Sequence, residues 1–318
     1  MTVSLVVTEH GGPEVLAVTD TPEPVPADGE VVVDVAAVGV NFIDVYQREG
    51  IYLLPTPFVA CSEGAGTVRA TGERVAWAMH TGSGASAIAI RTDDLVPVPD
   101  QVSLETAAAA LLQGMTAHYL VNDTYAIRPG DLALVHAAAG GVGQLLVQLI
   151  VNRGGVVIAT AGSQEKLNIA RGLGAAHLID TSEHEGEQSL TEAVRRASGG
   201  LGVHVAYDGV GAATFETSLA SLRPRGMLAL FGAASGQVPP IDLQRLNAAG
   251  SVFATRPSLA HHIATRAELL ERAMAVFADV AAGRLAISIG STWPLSHAAE
   301  AYRALEGRAS TGKLLLIP

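Results

Sequence analysis

The sequence predicts an α/β protein in which a doubly wound parallel sheet is inserted into a β-rich domain. Short strand patterns dominate residues 1–100, and strand and helix patterns alternate over residues 132–255. This alternation is typical of a parallel sheet with helices on both faces. Residues 256–318 are too few for a domain of their own, so we expect them to return to the N-terminal one.

The N-terminal segment is predicted to form short strands separated by turns. Glycine and proline mark these turns, as at Gly11-Gly12-Pro13 and Asp28-Gly29. Residues 40–48 change to a helical pattern that Gly50 ends. Such closely spaced strands are typical of a small, partly open barrel. The predicted strands are 3–7, 14–19, 30–38, 64–70, 74–78, 86–90 and 94–97.

Ser103 marks the change to helices, because Ser103-Leu104-Glu105-Thr106 followed by alanines is a helix start signal. Strands and helices then alternate up to residue 255. The predicted central elements are strands 132–137, 156–161, 177–180, 203–207, 227–231 and 251–255 and helices 141–153, 164–173, 188–197 and 213–222. The predicted closing elements are helix 265–282, strand 287–289, helix 297–305 and strand 313–317.

Composition limits the classes of function. With 49% hydrophobic and 16% charged residues, the 318-residue chain can bury a large core. A net charge of -11, with no basic run longer than Arg195-Arg196, predicts no nucleic-acid or anionic-membrane partner. Cys61 is the single cysteine, which excludes an internal disulfide and favours a reducing, cytoplasmic setting. The sequence shows no signal-peptide pattern, and no run of about 18 apolar residues predicts membrane insertion.

A glycine cluster stands between a predicted strand and a predicted helix at residues 136–144. It is an imperfect G-x-G-x-x-G motif, because Ala138 holds the first glycine position. Glycines let the backbone approach a pyrophosphate, and a helix N-terminus offers it N–H groups and a partial positive charge. The alternative interpretation is a tight turn without a ligand. We predict dinucleotide binding by the backbone of Gly140, Gly141, Val142 and Gly143.

The end of the next strand predicts a preference for NADPH. In NAD enzymes this strand usually ends in an acid that binds the ribose 2′-OH. Here Val156–Ala161 is followed by Gly162 and Ser163, and Lys166 comes three residues later. A small residue, a hydroxyl and a cation suit a 2′-phosphate better than a free hydroxyl. The negative charge of the adjacent Glu165 opposes this interpretation. The alternative for Lys166 is an ordinary solvated lysine on a helix.

Residues after later strands add candidate cofactor contacts. Phe231-Gly232 follows a strand at the sheet edge where ligands bind, and glycine there lets the backbone come close to a cofactor. Thr255 and Arg256 are expected at the end of the next strand, and Arg308 is a further candidate for a phosphate. The alternatives are a strand-ending turn for Phe231-Gly232 and a surface position for Arg308.

Together these residues resemble a known family. The matching segments are Asn41-Phe42-Ile43-Asp44-Val45-Tyr46 with Tyr52, Leu112-Gln113-Gly114-Met115-Thr116, Ala137–Gly143, Tyr207-Asp208-Gly209-Val210-Gly211, Phe231-Gly232, Thr255-Arg256-Pro257-Ser258-Leu259 and Gly307-Arg308-Ala309-Ser310-Thr311-Gly312-Lys313. Over essentially its whole length the chain is similar to the zinc-free, ζ-crystallin-like quinone oxidoreductases of the medium-chain dehydrogenase/reductase superfamily. The resemblance implies a GroES-like catalytic domain split into 1–114 and 256–318, around a Rossmann NADPH-binding domain at 115–255. It also implies a homodimer.

The resemblance also implies residue roles. Asn41, Tyr46 and Tyr52 are the implied catalytic residues, with Gln113 as a further residue lining the pocket. Asn41 and Thr116 are implied cofactor contacts. The alternatives are a helix cap for Asn41 and ordinary half-buried aromatic residues for the two tyrosines. Some relatives have a tyrosine near the adenine ribose where this chain has Thr181, so that contact is not carried over.

The implied site holds no metal. In zinc-dependent members of the superfamily the metal ligands fall at positions that match Asn41, Ser62 and Leu112, which are not a zinc ligand set. Alcohol oxidation needs a Lewis acid, whereas a quinone or enone accepts hydride with only hydrogen bonds to its oxygen. The sequence therefore predicts an NADPH:quinone reductase acting on a small quinone or conjugated carbonyl. An enone or enal reductase and a non-catalytic NADPH-binding protein, such as a sensor or a crystallin-like protein, are the alternatives.

Overall fold

The chain divides into two compact units. The computed structural model describes residues 1–184, 186–308 and 310–318, so Glu185, and Ala309 of the C-terminal motif, lie outside the described residues. The terminal unit comprises Met1–Met115 and His262–Pro318, and the central unit comprises Thr116–His261. These divisions fall close to the predicted ones at 114 and 255. The catalytic and cofactor-binding roles assigned to the two parts stay predictions.

The helices and strands are numbered in chain order. The helices are α1 Phe42–Arg48, α2 Leu104–Tyr119, α3 Gly141–Asn152, α4 Gln164–Gly172, α5 Gly186–Ala197, α6 Phe215–Ala220, α7 Gln244–Ala248, α8 Arg266–Ala281 and α9 Ala298–Glu306. The strands are β1 Thr2–Val7, β2 Leu16–Thr21, β3 Glu30–Val40, β4 Phe58–Val59, β5 Glu63–Val68, β6 Arg74–Ala78, β7 Ala87–Arg91, β8 Val96–Pro97, β9 Leu132–Val135, β10 Val156–Ala161, β11 His177–Asp180, β12 Val203–Asp208, β13 Leu222–Leu230, β14 Phe253–Thr255, β15 Ile289–Pro294 and β16 Lys313–Ile317.

The central unit contains the predicted doubly wound sheet. Its strand order over the described residues is β11-β10-β9-β12-β13-β14, and every neighbouring pair is parallel. The fully buried core residues Leu134, Ile158, Ala206 and Leu228 come from four adjacent strands. The order reverses at β9 and β12, which is where such sheets bind ligands at their carboxyl edge. The predicted fold class is confirmed.

The terminal unit is built around β3. Strand β3 pairs antiparallel with β5, β7 and β16, so the C-terminal strand does return to the N-terminal segment. In the described chain these strands belong to a seven-stranded sheet, and β2, β1 and β4 form a separate sheet of three. Val38 and Val40 of β3 pack with Leu314 and Leu316 of β16 in a buried core.

Most element boundaries follow the sequence patterns, and the largest differences are in three strands. Strand β13 begins at Leu222 instead of residue 227, so the helix predicted over 213–222 ends at Ala220. Strand β2 begins at Leu16 instead of residue 14, because Pro13–Val15 forms a short 3-10 turn. Strand β15 covers Ile289–Pro294 instead of 287–289, because Gly290, Ser291 and Thr292 give it no alternating apolar pattern. Ser103 caps α2 as predicted, since its Oγ accepts the Thr106 N–H at 3.0 Å.

Helix α3 is enclosed along most of its length. Its residues from Gly143 to Ile150 are all buried. Two of these buried residues are polar, and Gln144 donates its side-chain amide to the carbonyl oxygen of Ala139 at 2.8 Å. Across the described residues, no helix is both long and apolar enough to span a membrane.

Candidate functional site

The predicted dinucleotide turn joins β9 to α3. The first N–H groups of any helix have no intrahelical partner. Gly140, the N-cap of α3, has no side chain to cap them. A Cβ atom on Gly143 would lie 2.3 Å from the carbonyl oxygen of Ala137. Glycine is therefore required for the helix to start this close to the strand. The arrangement offers N–H groups and the positive end of a helix dipole to an anion.

The end of β10 presents a second helix start. Gly162 is exposed, and Ser163 is the N-cap of α4, where its Oγ accepts the N–H of Lys166 at 3.4 Å. Thr181 donates its hydroxyl to the carbonyl oxygen of Ala161 at 3.2 Å. The Ser163 hydroxyl thus has a local structural role, and its contact with a 2′-phosphate stays a prediction. Lys166 is half-buried on the first turn of the same helix.

Asp208 organises the turn after β12 and was not predicted as a site residue. Its buried carboxylate accepts the N–H groups of Val210 and Gly211 at 2.9 and 3.0 Å. It also accepts the hydroxyls of Thr214 at 2.8 Å and Ser218 at 2.7 Å. An acid at the end of a buried strand and before Gly209-Val210-Gly211 is the signal that could have identified it.

Two glycines let the turns after β12 and β13 pack together. A Cβ atom on Gly209 would lie 2.8 Å from the ring of Phe231, and one on Gly232 would lie 2.4 Å from the carbonyl oxygen of Gly209. Phe231 also donates its N–H to the carbonyl oxygen of Asp208 at 2.8 Å. Phe231 and Gly232 are both half-buried.

The predicted cofactor residues of the central unit share one sheet edge. The turn at Gly140, the pair Gly162 and Ser163, the pair Phe231 and Gly232, and Thr255 each lie at or just after the carboxyl end of a parallel strand. Arg256 is exposed after β14, whereas Thr116 is buried in α2. Arg308 belongs to the terminal unit, where it is exposed after α9 with a φ of 55°.

The three predicted catalytic residues lie on α1 and the segment that follows it. Asn41 is the N-cap of α1 and donates its backbone N–H to Asp44 Oδ2 at 2.8 Å. Tyr46 and Tyr52 contact each other edge to face, with ring centroids 5.4 Å apart. Tyr46 is 8% exposed and Tyr52 is 44% exposed. Such a pair can pack against a flat ring and still present a phenol to water.

A buried polar network surrounds the Asn41 side chain. Asn41 Nδ2 donates to Glu63 Oε1 at 2.7 Å, and Lys313 Nζ donates to Asn41 Oδ1 at 2.7 Å. Lys313 and Glu63 also form a direct ion pair. Glu63 Oε2 accepts the N–H of Leu112 at 2.9 Å, and Gln113 Nε2 donates to Asn41 Oδ1 at 3.3 Å. Sequence reasoning missed Glu63 and Lys313, although each is a charge at the start of an otherwise uncharged strand.

The network continues through Asp44 on α1. Ser62 donates its hydroxyl to Asp44 Oδ1 at 2.9 Å. Burial raises the pKa of Asp44 from 3.8 to about 6, and the hydrogen bonds from Asn41 and Ser62 oppose this rise. Next to Ser62, burial also raises the pKa of the Cys61 thiol, whose Sγ lies 3.4 Å from the Tyr302 hydroxyl. Cys61 is therefore a buried, unreactive thiol.

Comparison with known families covers both units. Residues 27–126 match the alcohol dehydrogenase GroES-like domain, and residues 141–276 match the family described as zinc-binding dehydrogenase. These matches agree with the β-rich N-terminal segment and with the parallel sheet of the central unit.

Similarity to individual proteins extends over the whole chain. The quinone oxidoreductase of Salmonella typhimurium is 39% identical over 98% of both chains. The 2-haloacrylate reductase of a Burkholderia species is 37% identical over 100% of this chain and 99% of its own. A solved structure of the Escherichia coli quinone oxidoreductase complexed with NADPH is 38% identical, covers 100% of both chains and has a TM-score of 0.96.

The residues present do not fit the zinc that one family description names. The positions expected to match zinc ligands are Asn41, Ser62 and Leu112, which carry an amide, a hydroxyl and an alkyl group. Protein zinc sites use thiolate, imidazole and carboxylate ligands. The Lys313 ammonium also donates a hydrogen bond to Asn41 Oδ1, and its positive charge would repel a metal cation there. Within residues 1–184, 186–308 and 310–318, no three His, Cys, Asp or Glu side chains converge to hold a metal.

The family follows from these findings taken together. Identity close to 40% over nearly the whole of both chains is accompanied by the two family-domain matches of this chain and by a TM-score of 0.96 to a solved quinone oxidoreductase. The position of Lys313 agrees with the zinc-free branch that the sequence resembles. The chain belongs to the quinone oxidoreductase family of the medium-chain dehydrogenase/reductase superfamily.

Proposed function

We propose that the protein is an NADPH-dependent quinone oxidoreductase that works without a metal. The observation that carries this proposal is the glycine turn between β9 and α3, in a chain similar throughout to a quinone oxidoreductase solved with NADPH. The central unit binds the cofactor, and the terminal unit binds the quinone. This assigns the cofactor role to 115–255 and the catalytic role to 1–114 and 256–318, as predicted from the sequence.

The central unit has the groups that each part of NADPH requires. The N-terminus of α3 at Gly140–Gly143 suits the pyrophosphate, because its N–H groups point outward from a dipole of matching sign. Gly162, Ser163 and Lys166 suit the 2′-phosphate, since glycine leaves room and the other two add a hydroxyl and a cation. The further proposed cofactor contacts are Asn41, Thr116, Phe231, Gly232, Thr255, Arg256 and Arg308.

The terminal unit supplies position and polarity to the substrate. Bound NADPH supplies the hydride. Tyr46 and Tyr52 pack against the flat ring of a quinone, and Asn41 helps to order the polar groups beside it. The quinone ring accepts the hydride, its oxygen gains the electron pair that this displaces, and solvent supplies the proton. No buried acid in the described residues is needed for this step.

The decisive experiment follows NADPH absorbance in the presence of a 1,4-quinone. We expect oxidation of NADPH far above the rate without protein, in metal-free buffer and equally in the presence of a chelator. A rate no higher than the uncatalysed one would overturn the proposal and favour a non-catalytic NADPH-binding protein. NADPH binding is measured separately by calorimetry.

A second candidate function is reduction of a conjugated carbonyl compound. The similarity to a 2-haloacrylate reductase, at 37% identity over both whole chains, favours it. Hydride would then go to the β-carbon of the C=C bond, and solvent would protonate the α-carbon. Steady-state kcat/KM for a 1,4-quinone, a simple enal and 2-chloroacrylate on the same preparation separates the two candidates.

The proposal includes a homodimer, as the family resemblance implies. In the described residues β14 is an edge strand, and Phe253 on it is 59% exposed. An open strand edge with an exposed aromatic side chain can pair with a second copy of itself. Light scattering is expected to give twice the chain mass of 32.7 kDa for the native protein and the single mass for Phe253→Lys. The single mass for the native protein would contradict the dimer.

A cytoplasmic location completes the proposal. Cys61 is the one cysteine of the chain, so the fold does not depend on an oxidising compartment. NADPH is also a cytoplasmic reductant. Fractionation of the source cells is expected to recover the protein with cytoplasmic markers, and recovery with membranes would contradict the location.

A further inference from the structure

An ammonium group and two carboxylates lie buried together in the terminal unit. Lys313, Glu63 and Asp44 are each buried, and Lys313 pairs with Glu63. Removing charges from water is costly, and well-packed apolar side chains of similar volume often stabilise a protein as much as such a pair does. Stability alone therefore does not explain why the chain places this pair against Asn41.

The ion pair determines which way the Asn41 amide faces. A lysine ammonium only donates hydrogen bonds, and an ionised glutamate only accepts them. Lys313 Nζ therefore faces the amide oxygen of Asn41, and Glu63 Oε1 faces its nitrogen, each at 2.7 Å. The reversed amide would place donor against donor and acceptor against acceptor. The orientation of Asn41 is thus set by charge.

The amide of Asn41 is fully used within the protein. Its Nδ2 also donates to the carbonyl oxygen of Gly39 at 3.3 Å, and its Oδ1 also accepts from Gln113 Nε2 at 3.3 Å. A carboxamide has two N–H groups and two acceptor sites, so all four are occupied. Asn41 therefore has no donor left for a substrate oxygen.

Gln113 takes its orientation from Asn41 and still has a donor to offer. Its Nε2 is held towards Asn41 Oδ1, while the second N–H and Oε1 have no partner among the described residues. Gln113 is half-buried, so the residue keeps some accessible surface. We infer that Lys313 and Glu63 hold Asn41 as a positioning residue, and that Gln113 donates the hydrogen bond to the substrate's carbonyl oxygen.

This assignment rests on the proposed function and gives Gln113 a defined part in it. A quinone or enone oxygen can only accept hydrogen bonds, and it becomes more negative as hydride arrives at the ring or at the β-carbon. The hydrogen bond from a fixed N–H donor to that oxygen is therefore stronger in the transition state than in the ground state. Gln113 gives up no proton, because solvent protonates the oxygen or carbon afterwards.

The first test removes the donor. Gln113→Leu keeps the size of the side chain, and Gln113→Glu replaces the N–H donor by a carboxylate. Both are expected to lower kcat/KM for the quinone by about tenfold or more, mainly through kcat, and Gln113→Leu is expected to keep the native Kd for NADPH and the native unfolding midpoint. Gln101→Leu, which removes an exposed amide just before the same helix, is the matched control. Native kcat/KM in Gln113→Leu would overturn the role of Gln113.

The second test separates positioning from stability. Lys313→Met and Glu63→Gln each leave one uncompensated buried charge, so both single variants are expected to unfold at lower temperature. The double variant lacks both members of the ion pair, so neither is left uncompensated, and it is expected to recover most of that stability. It is still expected to lose about tenfold in kcat/KM for the quinone, because the Asn41 amide then keeps only its longer hydrogen bonds, those with Gly39 and Gln113. A double variant with both native stability and native kcat/KM would show that the pair is only structural.

The measurements distinguish failure of the proposed function from failure of the roles assigned to Gln113 and to the ion pair. If the native protein oxidised no NADPH with any quinone or conjugated carbonyl, the function would be wrong before any variant was compared. If the native protein is active and the Gln113 variants match it, only the assignment of Gln113 fails. If the Gln113 variants are impaired and the double variant is not, only the role of the ion pair fails.

Discussion

Arg48 and Glu306 form a hydrogen-bonded ion pair with an N–O distance of 2.7 Å, although they are 258 positions apart in the chain. The Arg48 side chain is almost wholly buried and lies 5.6 Å from the centre of the Tyr302 ring, over its face. Its Nε also donates to the carbonyl oxygen of Gly11 at 2.9 Å. One guanidinium therefore ties α1 to α9 and to the turn before β2, all within the terminal unit.

Replacing Arg48 is expected to destabilise the terminal unit. Arg48→Met removes the ion pair, the bond to Gly11 and the cation–π contact, and leaves Glu306 without its partner. Losses of this kind at buried pairs are about 3 kcal/mol, and partial exposure of Glu306 lowers the expected value to about 2 kcal/mol. Urea unfolding measures the free energy. Arg303→Met on the exposed side of α9 is the control, and an equal loss in both variants would contradict the assignment.

Gly143 is expected to tolerate no side chain. Gly143→Ala places a Cβ 2.3 Å from the carbonyl oxygen of Ala137, so α3 must shift from β9. The N–H groups proposed to bind the pyrophosphate move with it. We expect the Kd for NADPH to rise at least tenfold, measured by calorimetry. Gly172→Ala, also at a helical glycine but with nothing within 4 Å, is the matched control and is expected to bind normally.

The parts of the fold that the sequence predicts correctly are those determined by residues close together in the chain. The parallel sheet follows from alternating strand and helix patterns, and the start of α2 follows from the Ser103 cap, because both depend on residues close in the chain. Strand β15 is placed wrongly by the sequence because pairing with β16, and not an apolar pattern of its own, makes it a strand. The glycine turn is predictable for the same local reason as the α2 cap.

The polar network of the site could not be predicted in the same way. Lys313 and Glu63 are 250 positions apart, and the sequence alone does not show that they meet or that both are buried. The sequence identifies Asn41 as a polar residue at a helix start. It does not show that four partners saturate its amide, which is what moves the expected contact with substrate to Gln113.

Lys166 is expected to set the choice of cofactor. Lys166→Ala removes a cation from the first turn of α4, next to the Ser163 cap, where the 2′-phosphate is proposed to bind. We expect the Kd for NADPH to rise about tenfold while the Kd for NADH stays within a factor of two, because only NADPH carries that phosphate. The ratio of the two constants is the measurement. Equal turnover of both cofactors by the native protein, with no loss of NADPH affinity in the variant, would contradict the preference.

The buried carboxyl of Asp44 is expected to make stability depend on pH. Its pKa in the folded protein is raised from 3.8 to about 6, so the folded state keeps a proton that the unfolded chain has already lost. The stabilisation from this proton is complete below the unfolded pKa and is lost as the pH rises through about 6. Between pH 5 and pH 8 the loss is about 1.4 kcal/mol.

Asp44→Asn isolates this contribution, because the asparagine does not titrate. The free energy of unfolding of the native protein, minus that of the variant, is expected to fall by about 1.4 kcal/mol from pH 5 to pH 8. Buried neutral histidines such as His136, whose pKa is lowered by burial, change stability in the opposite direction but cancel in this difference. Lys313 and Glu63 lie near position 44 in both proteins, so their charges remain as the common background. A difference that is constant over this range would mean that Asp44 is already ionised at pH 5 in the folded state.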